Sequence, residues 1–549
     1  MKRPAFPRIL AGRWRKPSRQ SMRHTFVMLG IGAITALALP PVHFLPVLLL
    51  TFPLLGRVLN RTSSWKEAAW AGGLFGFGLY AASLYWLVNA VMIRAEEFWW
   101  FVPFPSLGCA LILAPMTAVP AALSLLARRG VARLVFFAGA WTLFDMGRVF
   151  LFSGFPWNPL GSALAIPGQV GDVLLQPAAW IGVDGLTLFL VLGSLLCGAA
   201  MQDIWRVRTE KTSLVFTSPR MMWSVIGGTG FLGISLLIAS LSRLHTVHPI
   251  GENGPIAVMV QGNVPETEKV GHQNPRDIFL RYLRLTSDGV RQAQRIRQSD
   301  PLYANSPIVF LWPETSFPGY DLLQDSPRAR QLIMAWADGA EAGLIGALRQ
   351  DDTNRYRNSV LALAPGGGIE AIYDKARLVP FGEYQPSYIP LQIVPQGGMA
   401  AGPGPQTWHL PNVPDVGPLI CYEVIFSGDV VDEKDRPRWL ANVTNDGWFG
   451  DSAGPRQHLS SVRLRAIEEG LPVARAANTG ISIAYDGFGH ELKRLGWGKA
   501  GVIVTPLPAP LPQPFFARFG RILPFSLCIV SMLSGLMLQR RKSENPSNS

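Results

Sequence analysis

Long apolar segments are the feature that most constrains what this chain can fold into. Seven of them precede residue 245 and one follows residue 515, and they cover 24–42, 43–60, 67–93, 101–127, 131–152, 175–202, 221–242 and 522–538. Each is about long enough to cross a hydrocarbon core of about 30 Å, although the second is short. A chain that is 48% hydrophobic and 16% charged is too apolar for a soluble protein of 549 residues. We therefore predict a polytopic α-helical membrane domain with eight spans.

Basic residues lie beside these segments on one side of the predicted membrane. Residues 1–23 carry eight Lys and Arg and no acid, and the loops 57–66, 128–133 and 203–220 are also basic. The positive-inside rule then predicts that the N-terminus and the tail 539–549 are cytoplasmic. The formal net charge of +13 thus comes largely from basic residues that flank the predicted spans. Such flanking charge is a signal of membrane topology, so we predict no nucleic-acid partner.

Residues 245–515 differ from the rest of the chain, because short apolar runs alternate there with helical stretches and Pro/Gly turns. Predicted strands are 256–260, 308–312, 343–348, 359–363, 369–373, 419–422, 439–444, 481–486 and 501–504, and predicted helices are 274–298, 326–341 and 455–470. This mixture predicts one α/β domain with a large sheet core. The predicted order is a basic cytoplasmic N-terminus 1–23, a seven-span domain 24–244, an extracytoplasmic domain 245–515, a last span 516–538 and a cytoplasmic tail 539–549.

Two features of the membrane region each allow two interpretations. The aromatic loops 98–101 and 153–159, on the predicted outer side, fit either an ordinary aromatic belt or a rim that contacts lipid beneath the external domain. Asp145 and Arg148 lie three residues apart at the end of the fifth segment. They fit either a functional intramembrane pair or a helix-end ion pair that fixes packing.

Cys421 is the only cysteine between residues 245 and 515, because the other three lie in apolar segments. It therefore has no partner for an internal disulfide in that domain. Two interpretations remain, a buried small hydrophobic residue or a nucleophile, and the cysteine taken alone favours the first.

Two charged residues are candidates to act with Cys421. Glu314 and Lys375 each follow a predicted strand, and Cys421 lies at the end of its own predicted strand. Sites in α/β sheets are often built at strand ends. A thiolate that attacks a carbonyl, a carboxylate that moves the proton and an ammonium that stabilises the oxyanion would suit acyl transfer. Each charge alone is more typical of a solvated surface residue, so spacing does not decide between the two readings.

The histidines do not form a metal-binding motif. His245 and His248 lie three residues apart just after a predicted span and have no third ligand nearby in the sequence, and no HExxH is present. We predict neither a metal nor a cofactor, and we expect His458 to be a structural hydrogen-bonding residue.

Several longer motifs resemble the carbon–nitrogen hydrolase (nitrilase) superfamily. They are Trp312-Pro313-Glu314, the run from Asp374-Lys375 to Gly382-Glu383, and Ile420-Cys421-Tyr422-Glu423, with further matching stretches at 260–263, 444–450, 457–458 and 475–482. The whole chain, spans included, is similar to the membrane-bound branch of that superfamily, the apolipoprotein N-acyltransferases. The resemblance implies a nitrilase-like α/β/β/α sandwich for the external domain.

The resemblance also implies roles for six residues: Cys421 as nucleophile, Glu314 as general base and then acid, Lys375 as oxyanion stabiliser, Glu383 and Glu423 as supporting carboxylates, and Tyr422 as a backbone N–H donor to the oxyanion. The sequence departs from the family at Val270, where the family usually has tryptophan. That departure puts in doubt a gating role for an aromatic side chain at this position.

The reaction that the resemblance implies moves an acyl chain from a phospholipid, through a cysteine thioester, to the N-terminal amine of a diacylglyceryl-cysteine apolipoprotein. The implied partners are the phospholipid donor, the diacylated apolipoprotein and the lipid bilayer. The implied location is the bacterial cytoplasmic (inner) membrane, with the catalytic domain on the periplasmic side. Two alternatives stay open: a membrane-anchored amidase or nitrilase that hydrolyses a small amide, and a transporter or scaffold with an external binding domain.

Overall fold

The computed structural model describes residues 19–538 apart from 94–95, 97–98, 152–153, 210–218, 272, 320 and 386–397. The predicted tail 539–549 and residues 1–18 of the predicted basic N-terminus lie outside the described residues. So do Phe98 and Ser153 of the two aromatic loops, and the side chain of Val270.

Helices fill the first half of the described chain. They are α1 Arg19–Thr35, α2 Leu48–Arg61, α3 Trp65–Ser83, α4 Leu87–Met92, α5 Phe104–Leu113, α6 Pro115–Leu123, α7 Val131–Met146, α8 Gln169–Leu175, α9 Ala178–Thr209 and α10 Pro219–Thr246. Among the described residues, three helical segments are long and apolar enough to cross a membrane: Trp99–Leu126, Ala178–Ile204 and Gly227–Thr246. Shorter apolar helices cover Phe26–Ala38 and Ile522–Met537. The chain is a helical membrane protein, and the count of eight spans stays a prediction.

Prolines divide two of the predicted spans. The segment predicted at 101–127 contains two helices, because α5 ends just before Pro115 and α6 begins there. In the segment predicted at 24–42, α1 ends at Thr35 and a single further turn precedes Pro40-Pro41. Proline lacks the N–H that a helix interior needs, so helices end or restart beside it.

The second half of the chain is an α/β domain. Its strands are β1 Ile256–Gln261, β2 Ile308–Trp312, β3 Ala342–Gln350, β4 Tyr356–Leu363, β5 Ile369–Asp374, β6 Val416–Ile420, β7 Trp439–Thr444, β8 Val473–Ala477, β9 Ser482–Tyr485, β10 Glu491–Leu495 and β11 Gly501–Pro506. Its helices are α11 Glu266–Val270, α12 Pro275–Ser299, α13 Pro327–Trp336 and α14 Ala453–Glu469. After a proline-rich linker, α15 Phe515–Phe519 and α16 Ile522–Met537 end the described chain.

Two sheets face each other across the core of this domain. The first sheet has the order β11-β1-β2-β3-β4-β5, and the second has the order β10-β9-β8-β7-β6. Strands β1, β2 and β3 are parallel, as are β6, β7 and β8, and the outer strands pair antiparallel to them. Buried side chains from both sheets, such as Leu311 and Ala441, fill the space between them.

Helices cover both outer faces of the two sheets. Helices α12 and α13 place Leu283 and Ile333 on the first sheet, while α14 packs Val462 and Ala466 against the second. The order of layers is helix, sheet, sheet, helix, which agrees with the sandwich that the sequence implied. On its far side, α14 also packs Leu464 and Ile467 against helices α8 and α9 of the membrane domain.

Three differences from the predicted elements matter below. The strand predicted at 419–422 ends at Ile420, and a short 3₁₀ turn, Cys421–Ile425, follows it. The helix predicted at 326–341 ends at Trp336, because the chain turns at Gly339, whose φ of +89° is in the left-handed region that glycine tolerates. Strands β8 and β10 are absent from the prediction.

Candidate active site

Three strand ends bring the predicted site residues together. Glu314 follows β2 by two residues, Lys375 follows β5 directly and Cys421 follows β6 directly. Lys375 Nζ lies 3.0 Å from Glu314 Oε1 and 2.8 Å from Glu383 Oε1. The Cys421 thiol lies close enough to the Glu314 carboxylate to contribute to its lowered pKa. Glu314, Lys375 and Cys421 are buried, so this cluster is a nearly dry group of one thiol, one ammonium and two carboxylates.

Close backbone approach holds Glu314 in place. A Cβ on Gly346 of β3 would lie 2.1 Å from the carbonyl oxygen of Pro313 and 2.7 Å from the Cα of Glu314. Only glycine therefore lets the turn after β2 lie flat on β3. The Ser316 N–H donates to the Gly346 carbonyl at 2.8 Å and ties the turn down.

Two asparagines that the sequence analysis did not single out complete the carboxylate shell. Asn358 Nδ2 donates to Glu314 Oε1 at 2.7 Å and to Glu383 Oε1 at 2.8 Å. The backbone N–H of Asn445 donates to Glu314 Oε2 at 2.9 Å. Asn445 lies in the 444–450 stretch noted for its resemblance, but nothing in the sequence linked it to Glu314.

The electrostatics of the cluster define its resting protonation. Burial raises the pKa of Glu314, but the Lys375 charge, hydrogen bonds from Lys375 and Asn358, and the nearby Cys421 thiol outweigh burial and hold that pKa below its usual range. Burial alone would lower the pKa of Lys375, but the charges of Glu314 and Glu383 outweigh burial and raise this pKa well above its usual value. Lys375 is therefore an ammonium. Burial and the Glu314 charge raise the pKa of the Cys421 thiol. A neutral thiol thus lies beside an ionised carboxylate, the arrangement needed for proton transfer during attack.

Glu423 lies beneath Cys421 and fixes the backbone. Its carboxylate accepts hydrogen bonds from the Ile420 N–H, the Ala376 N–H and the Tyr373 hydroxyl, each at 2.7 Å. These bonds join the loop that carries Lys375 to the loop that carries Cys421. Burial raises the pKa of Glu423 to about 7. The hydrogen bonds described for this carboxylate go to backbone N–H groups and to a tyrosine, so it holds the two loops together.

The side chain of Tyr422 points away from the cluster and toward the membrane domain. Its hydroxyl donates to the Gly154 carbonyl at 2.6 Å, and its ring lies near Phe155, Trp157 and Phe426. Gly154 and Trp157 belong to the aromatic loop 153–159. This loop therefore packs on the residue next to Cys421, although an aromatic belt was one of its two interpretations.

Asp145 and Arg148 form a buried ion pair with an N–O distance of 2.8 Å. Arg148 NH1 also donates to the Trp157 carbonyl at 2.7 Å. The pair therefore fixes the aromatic loop that reaches the site, in keeping with the packing interpretation.

A buried polar chain supports Cys421 from the second sheet. His458 Nε2 lies 3.0 Å from the Cys421 carbonyl oxygen, and His458 Nδ1 lies 2.8 Å from Asp446 Oδ1. Arg475 donates to Asp446 Oδ2 at 2.6 Å. Among the described residues, Cys421, Asp446 and His458 also form a cluster whose potential ligand atoms lie within 4.8 Å of one another. The Arg475 guanidinium on Asp446 disfavours a cation there, so the donor set fits a hydrogen-bond chain better than a metal.

Of the nine non-glycine residues with positive φ in the described part of the chain, three lie at the cluster. Cys421, Thr315 and Phe381 have φ values of +47°, +46° and +63°, in the left-handed region that non-glycine residues rarely adopt. Each lies at or within two residues of Cys421, Glu314 or Glu383. Such strained positions persist where the surrounding structure fixes them, and they occur often at functional sites.

The fold and the site define a class of protein: a helical membrane protein with an α/β/β/α domain that buries a cluster of a cysteine, a lysine and carboxylates. A family model described as Carbon-nitrogen hydrolase matches residues 305–512, and one described as Apolipoprotein N-acyltransferase N-terminal domain matches residues 31–196. The chain is 33% identical over 561 residues to an apolipoprotein N-acyltransferase of Rhodopseudomonas palustris, with 97% of each chain covered. It is 31% identical to one of Bradyrhizobium diazoefficiens, with 95% of each covered. The chain belongs to the apolipoprotein N-acyltransferase family.

Among solved structures, an amidase from Nesterenkonia sp. is 17% identical with a TM-score of 0.34 and covers 47% of this chain and 92% of that chain. This likeness is too weak to add to the assignment.

Proposed function

We propose that this protein transfers an acyl chain from a phospholipid to the N-terminal amine of a diacylglyceryl-cysteine apolipoprotein, by a ping-pong reaction through a thioester on Cys421. The observation that carries the proposal is the buried Glu314–Lys375–Glu383 ion cluster with the Cys421 thiol next to Glu314. Both substrates are lipids, and membrane-domain residues pack directly against the neighbour of Cys421.

In the first half-reaction, Cys421 Sγ attacks the carbonyl carbon of the phospholipid ester while Glu314 takes the thiol proton. The Lys375 ammonium stabilises the oxyanion, together with the Tyr422 N–H. The ester C–O bond then breaks, Glu314 returns its proton to the leaving glycerol oxygen, and lysophospholipid departs. Glu383 and Asn358 hold the Lys375 ammonium and the Glu314 carboxylate in position. Glu423 holds the backbone next to Cys421 through its hydrogen bonds.

In the second half-reaction, the neutral amine of the lipoprotein attacks the thioester carbonyl and Glu314 accepts an amine proton. The C–S bond breaks, Cys421 regains its proton from Glu314, and the new amide leaves. A thioester persists between the two halves only where water is excluded, which suits a cluster as deeply buried as this one.

The proposed topology keeps both substrates at one membrane surface. It has eight spans, a cytoplasmic N-terminus 1–23 and a cytoplasmic tail 539–549. Seven spans in 24–244 and one in 516–538 would hold the catalytic domain 245–515 on the periplasmic side of the bacterial inner membrane. The basic loops beside the spans support this orientation.

The test uses purified full-length protein in two assays. Incubation with phospholipid alone should give an acyl adduct on Cys421 by mass spectrometry, and addition of a diacylated lipopeptide should give triacylated peptide. Cys421→Ala should abolish both signals. Cys197→Ala, which changes an exposed cysteine of α9, is the matched control and should retain both.

Two results would contradict the proposal. Triacylated peptide formed by Cys421→Ala would exclude the thioester route. Release of only free fatty acid, or of ammonia from a small amide, with no triacylated peptide would favour the membrane-anchored hydrolase instead.

A further inference from the structure

An apolar groove opens between helices α3 and α6, at the end of the membrane-crossing segment Trp99–Leu126. Its volume is about 490 Å³. The residues that line it come from the start of α3, the end of α6 and the turn after α6, and they include Trp65, Ala69, Ala118, Ala122, Leu125 and Leu126. Alanine at three of these positions keeps the groove wide.

The groove begins where the two helices stop touching each other. A Cβ on Gly72 of α3 would lie 2.5 Å from the Ala121 Cβ and 2.6 Å from the Thr117 carbonyl oxygen, so glycine lets the backbones approach here. Thr117 Oγ1 also donates to the Gly72 carbonyl at 2.9 Å. Ala69 and Trp65 lie about one and two turns before Gly72. The helices are therefore in contact at Gly72 and leave a groove toward the start of α3.

Basic side chains lie at the mouth of this groove. Lys66 is in the first turn of α3, and its Nζ lies 5.6 Å from the centroid of the Trp65 ring. Arg128 and Arg129 come just after the turn that follows α6. All three basic side chains are exposed. Glu67 supplies one negative charge beside them, so the mouth keeps a net positive charge.

Hydrogen bonds fix the two loops that carry these charges to each other. The buried Arg133 donates from NH1 to the Thr62 carbonyl at 3.0 Å and from Nε to the Ala127 carbonyl at 3.3 Å. The Gly130 N–H donates to Asn60 Oδ1 at 2.9 Å. Loops that are already held together lose little freedom when a ligand binds, which favours binding at this one place.

We propose that this groove binds one phospholipid with an anionic headgroup. An acyl chain of the lipid lies in the groove, and the Lys66, Arg128 and Arg129 side chains meet the headgroup phosphate. The mouth lies at headgroup depth, because the apolar segment ends at Leu126 and Trp65 is of the residue type that favours the membrane interface. Basic pockets between membrane helices are suited to anionic lipid headgroups.

This lipid is distinct from the acyl donor of the proposed reaction. Helix α3 starts at the groove with Trp65 and ends with Ser83, whose carbonyl accepts from Gln457 of α14 at 3.1 Å. The helix is about 28 Å long, close to the thickness of the hydrocarbon core. The groove and the α/β domain are thus at opposite membrane surfaces, and the lipid in the groove does not reach Cys421.

The first test is photolabelling of the full-length protein in phosphatidylcholine vesicles. The vesicles contain a trace of either phosphatidylglycerol or phosphatidylcholine that carries a photoreactive group in one acyl chain, and peptide mass spectrometry locates the label. We expect phosphatidylglycerol to label 65–69 and 118–126 at least about fivefold more than phosphatidylcholine. Equal labelling by the two lipids would mean ordinary boundary lipid and would overturn the proposal. Because the label is located peptide by peptide, donor lipid near Cys421 is counted separately.

The second test removes charge at the mouth. The double variant Arg128→Gln/Arg129→Gln changes two exposed side chains, and it should lower phosphatidylglycerol labelling of the groove to the level of phosphatidylcholine. Arg518→Gln is the matched control, because Arg518 is an exposed arginine of α15. It should leave the labelling unchanged. Full phosphatidylglycerol labelling in the double variant would contradict a role for these charges.

The third test fills the groove. Ala122→Trp places a large side chain where the acyl chain is proposed to lie, so labelling of 65–69 should fall severalfold with either lipid. Ile234→Trp adds a side chain of the same size at an exposed position of α10 and should leave this labelling unchanged. Undiminished labelling in Ala122→Trp would show that the chain lies elsewhere.

Discussion

The two helical layers of the sandwich are built from different kinds of sequence. Helix α12, on the first sheet, buries seven of its 25 residues along one face and leaves its other face to solvent. Helix α14, on the second sheet, buries every residue except Arg456. The difference arises because α14 has the second sheet on one side and membrane helices on the other.

The comparison shows that charge on a helix does not by itself mean exposure. Arg463, Arg465, Glu468 and Glu469 of α14 are all buried. Glu468 Oε1 accepts from the Val183 N–H of α9 at 2.8 Å and thus joins the α/β domain to the helices of the first half of the chain. The polar residues of α14 form the junction that sets the site on the membrane, whereas those of α12 are mostly solvated.

The largest expected difference between the two layers is in the stability lost when one arginine in each layer is replaced by alanine. Arg463 of α14 pairs with Asp172 and donates to the carbonyls of Gly489 and Ile166 at 2.8 and 2.7 Å. Arg463→Ala should lower the free energy of unfolding by about 3–5 kcal/mol, because it leaves buried acceptors and a carboxylate without a partner. Thermal unfolding of the wild type and the variant in the same detergent measures this loss of stability.

The matched change in the other layer is Arg291→Ala. Arg291 pairs with Asp288 on α12, and the two side chains are 65% and 54% exposed. We expect a loss below about 1 kcal/mol. Equal losses in the two variants would show that the layers do not differ as described.

The second-largest expected effect is a pH dependence of the free energy of unfolding that comes from Glu468. Burial raises its pKa to about 7 from an ordinary value of 4.5, although Arg465 opposes the rise. The folded state then favours the protonated form, so this stabilisation is complete below about pH 4.5 and is lost as the pH rises to about 7. Its full size is about 3 kcal/mol. Between these pH values, the free energy of unfolding should fall less steeply with pH in Glu468→Gln than in the wild type. The same pH dependence in both proteins would contradict the raised pKa of Glu468.

A somewhat smaller effect is expected from an amide. Gln457 Oε1 accepts from Trp86 and Trp157 at 3.0 Å each, and Gln457 Nε2 donates to the carbonyls of Ser83 and Pro40 at 3.1 and 3.3 Å. Gln457→Ala leaves these buried groups unpaired and should destabilise the protein by about 2–3 kcal/mol in thermal unfolding.

The α12 counterpart is Gln294→Ala. Gln294 donates a hydrogen bond to the Asp338 carbonyl at 2.8 Å in an exposed setting. Its loss should be below about 1 kcal/mol. A loss as large as that of Gln457→Ala would mean that the number of buried partners does not set the effect.

The smallest expected effect compares two tyrosine hydroxyls. Tyr422→Phe removes the 2.6 Å bond to Gly154 and should lower the unfolding free energy by about 1 kcal/mol. Tyr282→Phe, in the α12 layer, removes a longer bond of 3.3 Å to Asn478 and should lower it less. If denaturation showed a larger loss for Tyr282→Phe than for Tyr422→Phe, the Tyr422 hydroxyl would not contribute to the junction as described.

Sequence patterns predicted the strands whose residues suit a buried strand. The bounds of β2 and β7 were predicted to the residue, because each is a short run of buried, mostly apolar or β-branched residues bounded by turn signals. Strand β8 was missed because Val-Ala-Arg-Ala-Ala has weak strand propensity, and because the side chains that pair with its Arg475, those of Asn442 and Asp446, lie 33 and 29 residues away. Strand β10 was missed because it is charged and exposed at the sheet edge.

The candidate site was predicted only in part. Motifs placed Glu314, Lys375 and Cys421 at strand ends, and the structure brings their side chains together. The strand was predicted to run through Tyr422, since Ile-Cys-Tyr has strand character, but the chain leaves the ladder at Cys421. Asn358 was not singled out, because its two carboxylate partners are 44 and 25 residues away and no local pattern encodes such pairs.

The burial of α14 has a consequence for how the chain is made. Helices α1 to α9 are synthesised before α14, so the residues that contact Gln457 and Glu468 precede that helix on the ribosome. A fragment that starts at β1 would lack this surface and would expose a helix whose charges are matched to absent partners. We therefore expect the α/β domain to complete the packing of α14 only in the presence of the preceding helices.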